Sequence, residues 1–228
     1  MRAIIPEAHL SGATAILANG DFPRHPLALG ALRSARRVVC CDGAADALAR
    51  REPDLVPAAV VGDFDSAGRA ARRRYPASVF LHNPDQETND LTKAFRLCQR
   101  RRWGHLVILG ASGRREDHTL GNFALLADFS ADAPGIRLVS DFGIAFAVRA
   151  DARIRCGAGR AVSLVSFDPA QRLTATGLVW PLERLRMDTL WRGTLNRAAA
   201  DEFTLHLERP SPVLVYLAHP DTPPRSPA

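Results

Sequence analysis

Apolar residues in the first two thirds of the chain come in two alternating textures. Short, largely apolar runs at 13–18, 37–41, 58–61, 78–81, 105–109 and 136–140 read as strands, each followed directly or after one residue by Gly, Asn or Asp. Between them lie segments with helical spacing at 25–36, 46–51, 68–74, 90–101 and 117–128. The clearest is 90–101, where Leu91, Ala94, Phe95 and Cys98 fall at i, i+3, i+4 and i+7, with Thr88 or Asn89 placed to cap it. Strands alternating with helices predict a parallel sheet with right-handed crossovers. After about residue 146 the texture changes to short strand-like runs at 153–156, 161–167, 172–176, 203–207 and 213–217, separated by Gly-, Pro- and Asn-containing turns. The expected architecture is therefore α/β, with a parallel-sheet domain over 1–146 and a smaller antiparallel β-sandwich domain over 147–219. A Pro-rich tail, 220–228, is expected to be disordered.

Composition changes this picture little. The 228 residues are 46% hydrophobic and 24% charged, an ordinary globular balance. No apolar run approaches the length of a membrane span, and the first residues lack the apolar core of a signal peptide, so a cytoplasmic protein is expected. Cys40, Cys41, Cys98 and Cys156 show neither metal-binding nor disulfide spacing and are expected to be reduced thiols. The net charge of +6 raises the question of nucleic acid, but the basic residues are scattered and few aromatics interleave with them. Of 30 basic Lys and Arg residues, Lys93 is the only lysine, in a chain that otherwise uses Arg throughout.

Chemistry gathers at the carboxyl ends of the expected strands, where open parallel sheets bind ligands. Asp63 and Asp65 form a D-x-D after the strand ending at Val61, an oxygen-only pair of the kind that suits Mg²⁺. Asp42 and Asp46 follow the strand 37–41. Asp85, Gln86, Asp90 and Lys93 follow the strand 78–81. Lys93 falls in the first turn of a helix, where the macrodipole disfavours a cation unless an anion is bound there. The turn 110–113, with Ser112 and Gly113, offers backbone N–H groups to phosphate oxygens, and Arg115 adds a guanidinium just before Asp117 and His118. Walker A and G-x-G-x-x-G patterns are absent.

Together these residues resemble the thiamine pyrophosphokinase family. The resemblance rests on Asp42-Gly43-Ala44-Ala45, Gly62-Asp63-Phe64-Asp65-Ser66, Asp85-Gln86 with Asp90 and Lys93, and the segment from Gly110 to Asn122. In the second domain it rests on Thr174 to Leu182. Arg114 departs from the glycine common at its place, and Thr194-Leu195-Asn196 stands for the family's S-N element. The resemblance implies a nucleotide-binding parallel-sheet domain, a thiamine-binding and dimerising β-sandwich domain, and a homodimer with active sites between subunits. It implies transfer of the diphosphoryl group of ATP to the hydroxyl of thiamine, giving thiamine diphosphate and AMP. On this reading Asp63, Asp65 and Asp90 hold Mg²⁺ and share the catalytic role with Lys93. Asp42, Gln86, Thr88, Ser112, Gly113, Arg115, Asp117 and His118 serve ATP and its phosphates, and Thr176, Trp180 and Asn196 serve thiamine. The rival readings are a nucleotide- or phosphate-responsive binding module without transfer, and a diphosphokinase for another small alcohol.

Overall fold

The computed structural model describes residues 1–64 and 69–220, save the side chain of Ser78. The expected tail therefore lies, but for Pro220, outside the described residues, as does Asp65. The chain divides into two units: an α/β unit of residues 9–125 and 138–141, and a β-rich unit of residues 1–8, 126–137 and 142–228. The first eight residues thus join the β-rich unit, where an undivided 1–146 domain was expected. They carry strand β1 (Arg2–Ile4), whose three residues have no local signature and are held by pairing parallel to a later strand.

In chain order the α/β unit contains β2 (Thr14–Leu17), α1 (Pro26–Arg33), β3 (Arg37–Cys41), α2 (Ala44–Arg51), β4 (Ala59–Gly62), α3 (Arg69–Arg74), β5 (Phe80–His82), α4 (Asp90–Arg100), β6 (Leu106–Leu109), α5 (Glu116–Phe129) and β7 (Arg137–Val139), the last two running across its boundary. The strands stand in the order β7-β6-β2-β3-β4-β5, and β6-β2-β3-β4-β5 pair in parallel throughout, for example Leu17 opposite both Cys40 and Leu109. Of the six strands read from apolar runs, β2, β3, β4, β6 and β7 are buried at nearly every position, as expected for a sheet covered on both faces, whereas β5, which has only β4 as a neighbour, is half-buried to exposed. Helix α4 packs Leu91, Ala94, Phe95, Leu97 and Cys98 inward, each large apolar side chain contributing about 1.5–3 kcal/mol. Asn89 caps it, its Oδ1 accepting from the Thr92 N–H at 2.9 Å, a contact of about 1 kcal/mol. Cys40, Cys41 and Cys98 are buried free thiols, and burial pushes all three up in pKa.

The β-rich unit adds β8 (Gly143–Val148), β9 (Ala152–Arg155), β10 (Ala161–Ser166), β11 (Arg172–Thr176), β12 (Leu182–Arg186), β13 (Gly193–Arg197), β14 (Glu202–Leu207) and β15 (Val213–Ala218). One sheet has the order β1-β9-β14-β11-β12; β13-β10-β15-β8 form a second antiparallel set. Alternating patterns such as buried Ile154, Leu173, Ala175, Phe203 and Leu205 explain the register, because a slip by one residue would expose every one of them. The β1–β9 pair is parallel, a departure from the antiparallel expectation. Strands β8, β12 and β13 were also not anticipated.

Candidate active site

Strand ends of the α/β unit open into a cleft of about 590 Å³. Its lining includes Asp63, Gln86, Thr88, Asp90, Lys93, Gly113, Arg115 and His118, so eight of the residues singled out in the sequence share one cavity.

Just before Asp63, the ends of β3 and β4 come close together. A Cβ on Gly62 would stand 2.7 Å from the Asp42 Cβ, so only glycine lets the two strand ends meet there. Asp42 is 1% exposed, and its N–H donates to the Val61 carbonyl at 2.9 Å. Asp63 follows Gly62, and its Oδ2 accepts from Gln86 Nε2 at 3.2 Å. Phe64 then turns left-handed, with φ of 66°. Its ring is edge-on to Phe80 at 5.7 Å and beside His82 at 5.8 Å, with the Arg72 guanidinium 5.5 Å from its centre. These contacts fix the turn that presents Asp63.

Asp90 opens α4, and Lys93 Nζ donates to its Oδ1 at 3.2 Å; the two side chains are 33% and 4% exposed. The Asp90 carboxyl is raised above its ordinary pKa, chiefly by burial and further by the charges of Asp42 and Asp63, against the opposing pull of Lys93. The local field is therefore rich in negative charge, and a cation placed among these oxygens would relieve it. The donor set is oxygen-only, the chemistry that suits Mg²⁺. Among the described residues no three Asp, Glu, His or Cys side chains converge as a self-sufficient metal cluster.

Thr88 does not cap α4. Its Oγ1 donates to Asp85 Oδ2 at 2.7 Å, and with the Glu87 N–H on Oδ1 this holds Asp85 below the usual carboxylate range. Asp85 thus organises the loop carrying Gln86.

The opposite wall is the turn after β6. Gly110 and Gly113 have φ of 63° and 80°, which glycine adopts freely. Arg115 donates Nε to Asp117 Oδ1 at 3.1 Å and Nη2 to Oδ2, while the His118 N–H and ring Nδ1 also reach Asp117 Oδ1, at 2.8 and 3.0 Å. These partners hold Asp117 well below the usual carboxylate range. Asn122 Nδ2 donates to the Ala111 carbonyl at 2.8 Å, tying α5 to the turn. Asp42, Ser112 and Asp117 support the cleft from outside its lining.

Asn19 and Gly20 line the cleft but were not singled out, and Arg114, noted only as a departure from the family's glycine, lines it too. Asn19-Gly20 reads as a turn at the end of a strand; the rule that picked out the other strand ends applies to it equally. In the β-rich unit, Trp180 is 59% exposed, its N–H donating to Asn196 Oδ1 at 3.3 Å and its carbonyl accepting from Asn196 Nδ2 at 2.7 Å. Asn196 therefore fixes the Trp180 backbone. Thr176, at the end of β11, exchanges a 2.6 Å hydrogen bond with Thr204.

Two family descriptions match in succession: the thiamin pyrophosphokinase catalytic domain over residues 30–139, and its substrate-binding domain over residues 143–216. A thiamine pyrophosphokinase 1 of Oryza sativa subsp. japonica is 29% identical, covering 67% of this chain and 68% of that one. A thiamin pyrophosphokinase 1 of Caenorhabditis elegans is 30% identical over 40% of each chain. The solved thiamin pyrophosphokinase of Candida albicans shares the fold with a TM-score of 0.79 at 17% identity, covering 95% of this chain and 92% of its own. That of Bacillus subtilis does so with 0.76 at 21%, covering 91% and 99%. With both domains matched in order, and the strand-end residues of the first gathered in one cleft, the chain belongs to the thiamin pyrophosphokinase family.

Proposed function

We propose that this protein transfers the diphosphoryl group of ATP to the hydroxyl of thiamine, releasing AMP. The observation that carries the reading is the cleft itself, in which carboxylates, a buried lysine and a glycine-rich turn with its arginines meet on one sheet edge of a family member. Attack at the β-phosphorus places charge on the migrating group and on departing AMP, so the protein's task is positioning and electrostatic stabilisation. Lys93, held by Asp90 in a buried position, supplies a fixed positive charge. Gln86 and Arg115 supply donors, and the N–H groups of the 112–113 turn supply more.

Mg²⁺ belongs to this proposal. Asp63 and Asp90 would hold it, with Asp65 as the expected third carboxylate. When bound it neutralises phosphate charge and screens the carboxylates from one another. On the same reading Trp180 offers its exposed ring to a thiamine ring, with Thr176 and Asn196 around it, and the protein works as a cytoplasmic homodimer with active sites between subunits. Among the described residues no helix is long and apolar enough to cross a membrane.

The test is incubation of the full chain with ATP, Mg²⁺ and thiamine. Thiamine-dependent AMP release matched by thiamine diphosphate is the expected result. ATP binding with no AMP release across conditions would leave a binding module, and AMP release with another alcohol alone would reassign the acceptor.

A further inference from the structure

We infer that Arg114 is a substrate-binding residue of this chain, presenting its guanidinium to the phosphate oxygens of the nucleotide. The inference rests on the ATP-dependent reading above and adds a residue to that site.

Arg114 lines the cleft. Its backbone is left-handed, with φ of 59°, directly after Gly113 at 80°. That conformation is costly for a side chain as large as arginine and persists only where surrounding contacts impose it. Here the contact lies across the cleft mouth. Arg114 Nη1 donates to the Asn19 carbonyl at 3.1 Å and to Asn19 Oδ1 at 2.8 Å, joining residues 95 positions apart.

Asn19 is itself well anchored. The Gly20 N–H donates to the Gly110 carbonyl at 2.7 Å, and the Asp21 N–H to the Ser112 carbonyl at 2.8 Å, continuing the β2–β6 pairing beyond the strands. A Cβ on Gly43 would stand 2.5 Å from Asn19 Nδ2, so glycine there makes room for the amide. Because Oδ1 accepts from Arg114, the amide nitrogen is the end turned away as a donor. The guanidinium is therefore held by a rigid anchor.

Charge accounting then singles Arg114 out. Lys93 is matched by Asp90, and the Arg115 fork is closed on Asp117. Arg114 bonds only neutral oxygens, and among the described residues no carboxylate stands within ion-pairing distance of it. Only Nη1 is engaged, which leaves Nε and Nη2 for a phosphate, the planar anion-binding geometry that Arg offers and Lys lacks. A polyanion entering the cleft meets in Arg114 a cation that needs no partner displaced.

The alternative is that Arg114 merely latches residues 19–21 to the turn. Arg114→Gly separates the two, since glycine suits the backbone and the variant is expected to fold. In the full-length protein the KM for ATP should rise about tenfold with the KM for thiamine within twofold, and Arg114→Lys should show about a third of that rise. Direct titration of ATP without thiamine should show the same loss of affinity. Unchanged ATP affinity in Arg114→Gly, or a loss confined to kcat and melting temperature, overturns the inference. If wild type binds ATP but releases no AMP with thiamine, the transfer reading fails, while the titration of wild type against Arg114→Gly still decides the role of Arg114.

Discussion

Lys93 and Arg115 each meet a carboxylate close by in sequence, yet the two pairs occupy opposite electrostatic regimes. The Lys93 and Asp90 side chains are 4% and 33% exposed, whereas those of Arg115 and Asp117 are 68% and 60% exposed. A buried lysine whose partner is lost leaves an uncompensated charge, so the inner pair is rigid and costly to alter. The outer pair is solvated and screened by salt, so it can open and let Arg115 turn to an incoming phosphate. One wall of the cleft is thus preorganised and the other adaptable, a division that suits holding a metal–phosphate centre on one side and admitting substrate on the other.

The largest effect is expected from the inner wall. Asp63→Asn keeps side-chain volume but removes an anionic oxygen beside Asp90, and turnover should fall at least about 100-fold, the scale of losing one preorganised charge contact. The melting temperature should stay within a few degrees of wild type, because Asp63 is only partly buried and the change to Asn keeps its volume. Near-normal turnover would remove Asp63 from the metal site. Chelation of divalent cations should abolish activity in wild type and Mg²⁺ should restore it.

Next comes Lys93→Arg, with an expected loss of about 10- to 100-fold in kcat/KM. The ammonium is buried and bonded to Asp90 Oδ1 at 3.2 Å, and a planar guanidinium cannot keep that point contact in the same geometry. A silent substitution would mean that burial of the sole lysine has no catalytic meaning. The equivalent change on the outer wall, Arg115→Lys, should cost much less, because a solvated side chain adjusts.

The contrast between walls also explains what could be read in the sequence. The places of Asp63, Asp90 and Lys93 at the cleft were legible because they stand at strand ends and helix starts, and local pattern places such positions. The strands β2, β3, β4 and β6 were legible for a similar reason, as apolar runs bounded by turns. Arg114 stood out only as a departure from a glycine; its anchoring was not legible, because its contact with Asn19 spans 95 positions and its left-handed backbone is not what its residue type prefers. Strand β1 escaped because three residues exist as a strand only by pairing with β9. Strand β13 escaped because its burial alternates irregularly around an exposed Leu195, so period-two patterning fails. Thr88 was placed correctly in the cleft, but its hydroxyl serves Asp85, a choice that loop geometry makes.

The smallest expected effect, on Asp117→Asn, sharpens the comparison most. The Arg115 fork, then the His118 ring, hold the Asp117 carboxyl well below the usual carboxylate range. A depressed carboxyl contributes stability that is present above its unfolded pKa, near 4, and lost as pH falls through the lower folded value. Between pH 6 and 9 the group is ionised in both states, so this linkage gives stability no slope there. The pair is also fully solvated, so melting temperatures of wild type and variant should agree within about a degree over that window. What should change is binding. With the fork released, Arg115 is free before substrate arrives, and the KM for ATP should fall by up to about threefold at low salt. The gain should shrink toward nothing near 0.5 M salt, where the screening length is only about 4 Å. A rise in the KM for ATP would show that Asp117 orders Arg115 and His118 for binding, which would make the outer wall preorganised as well.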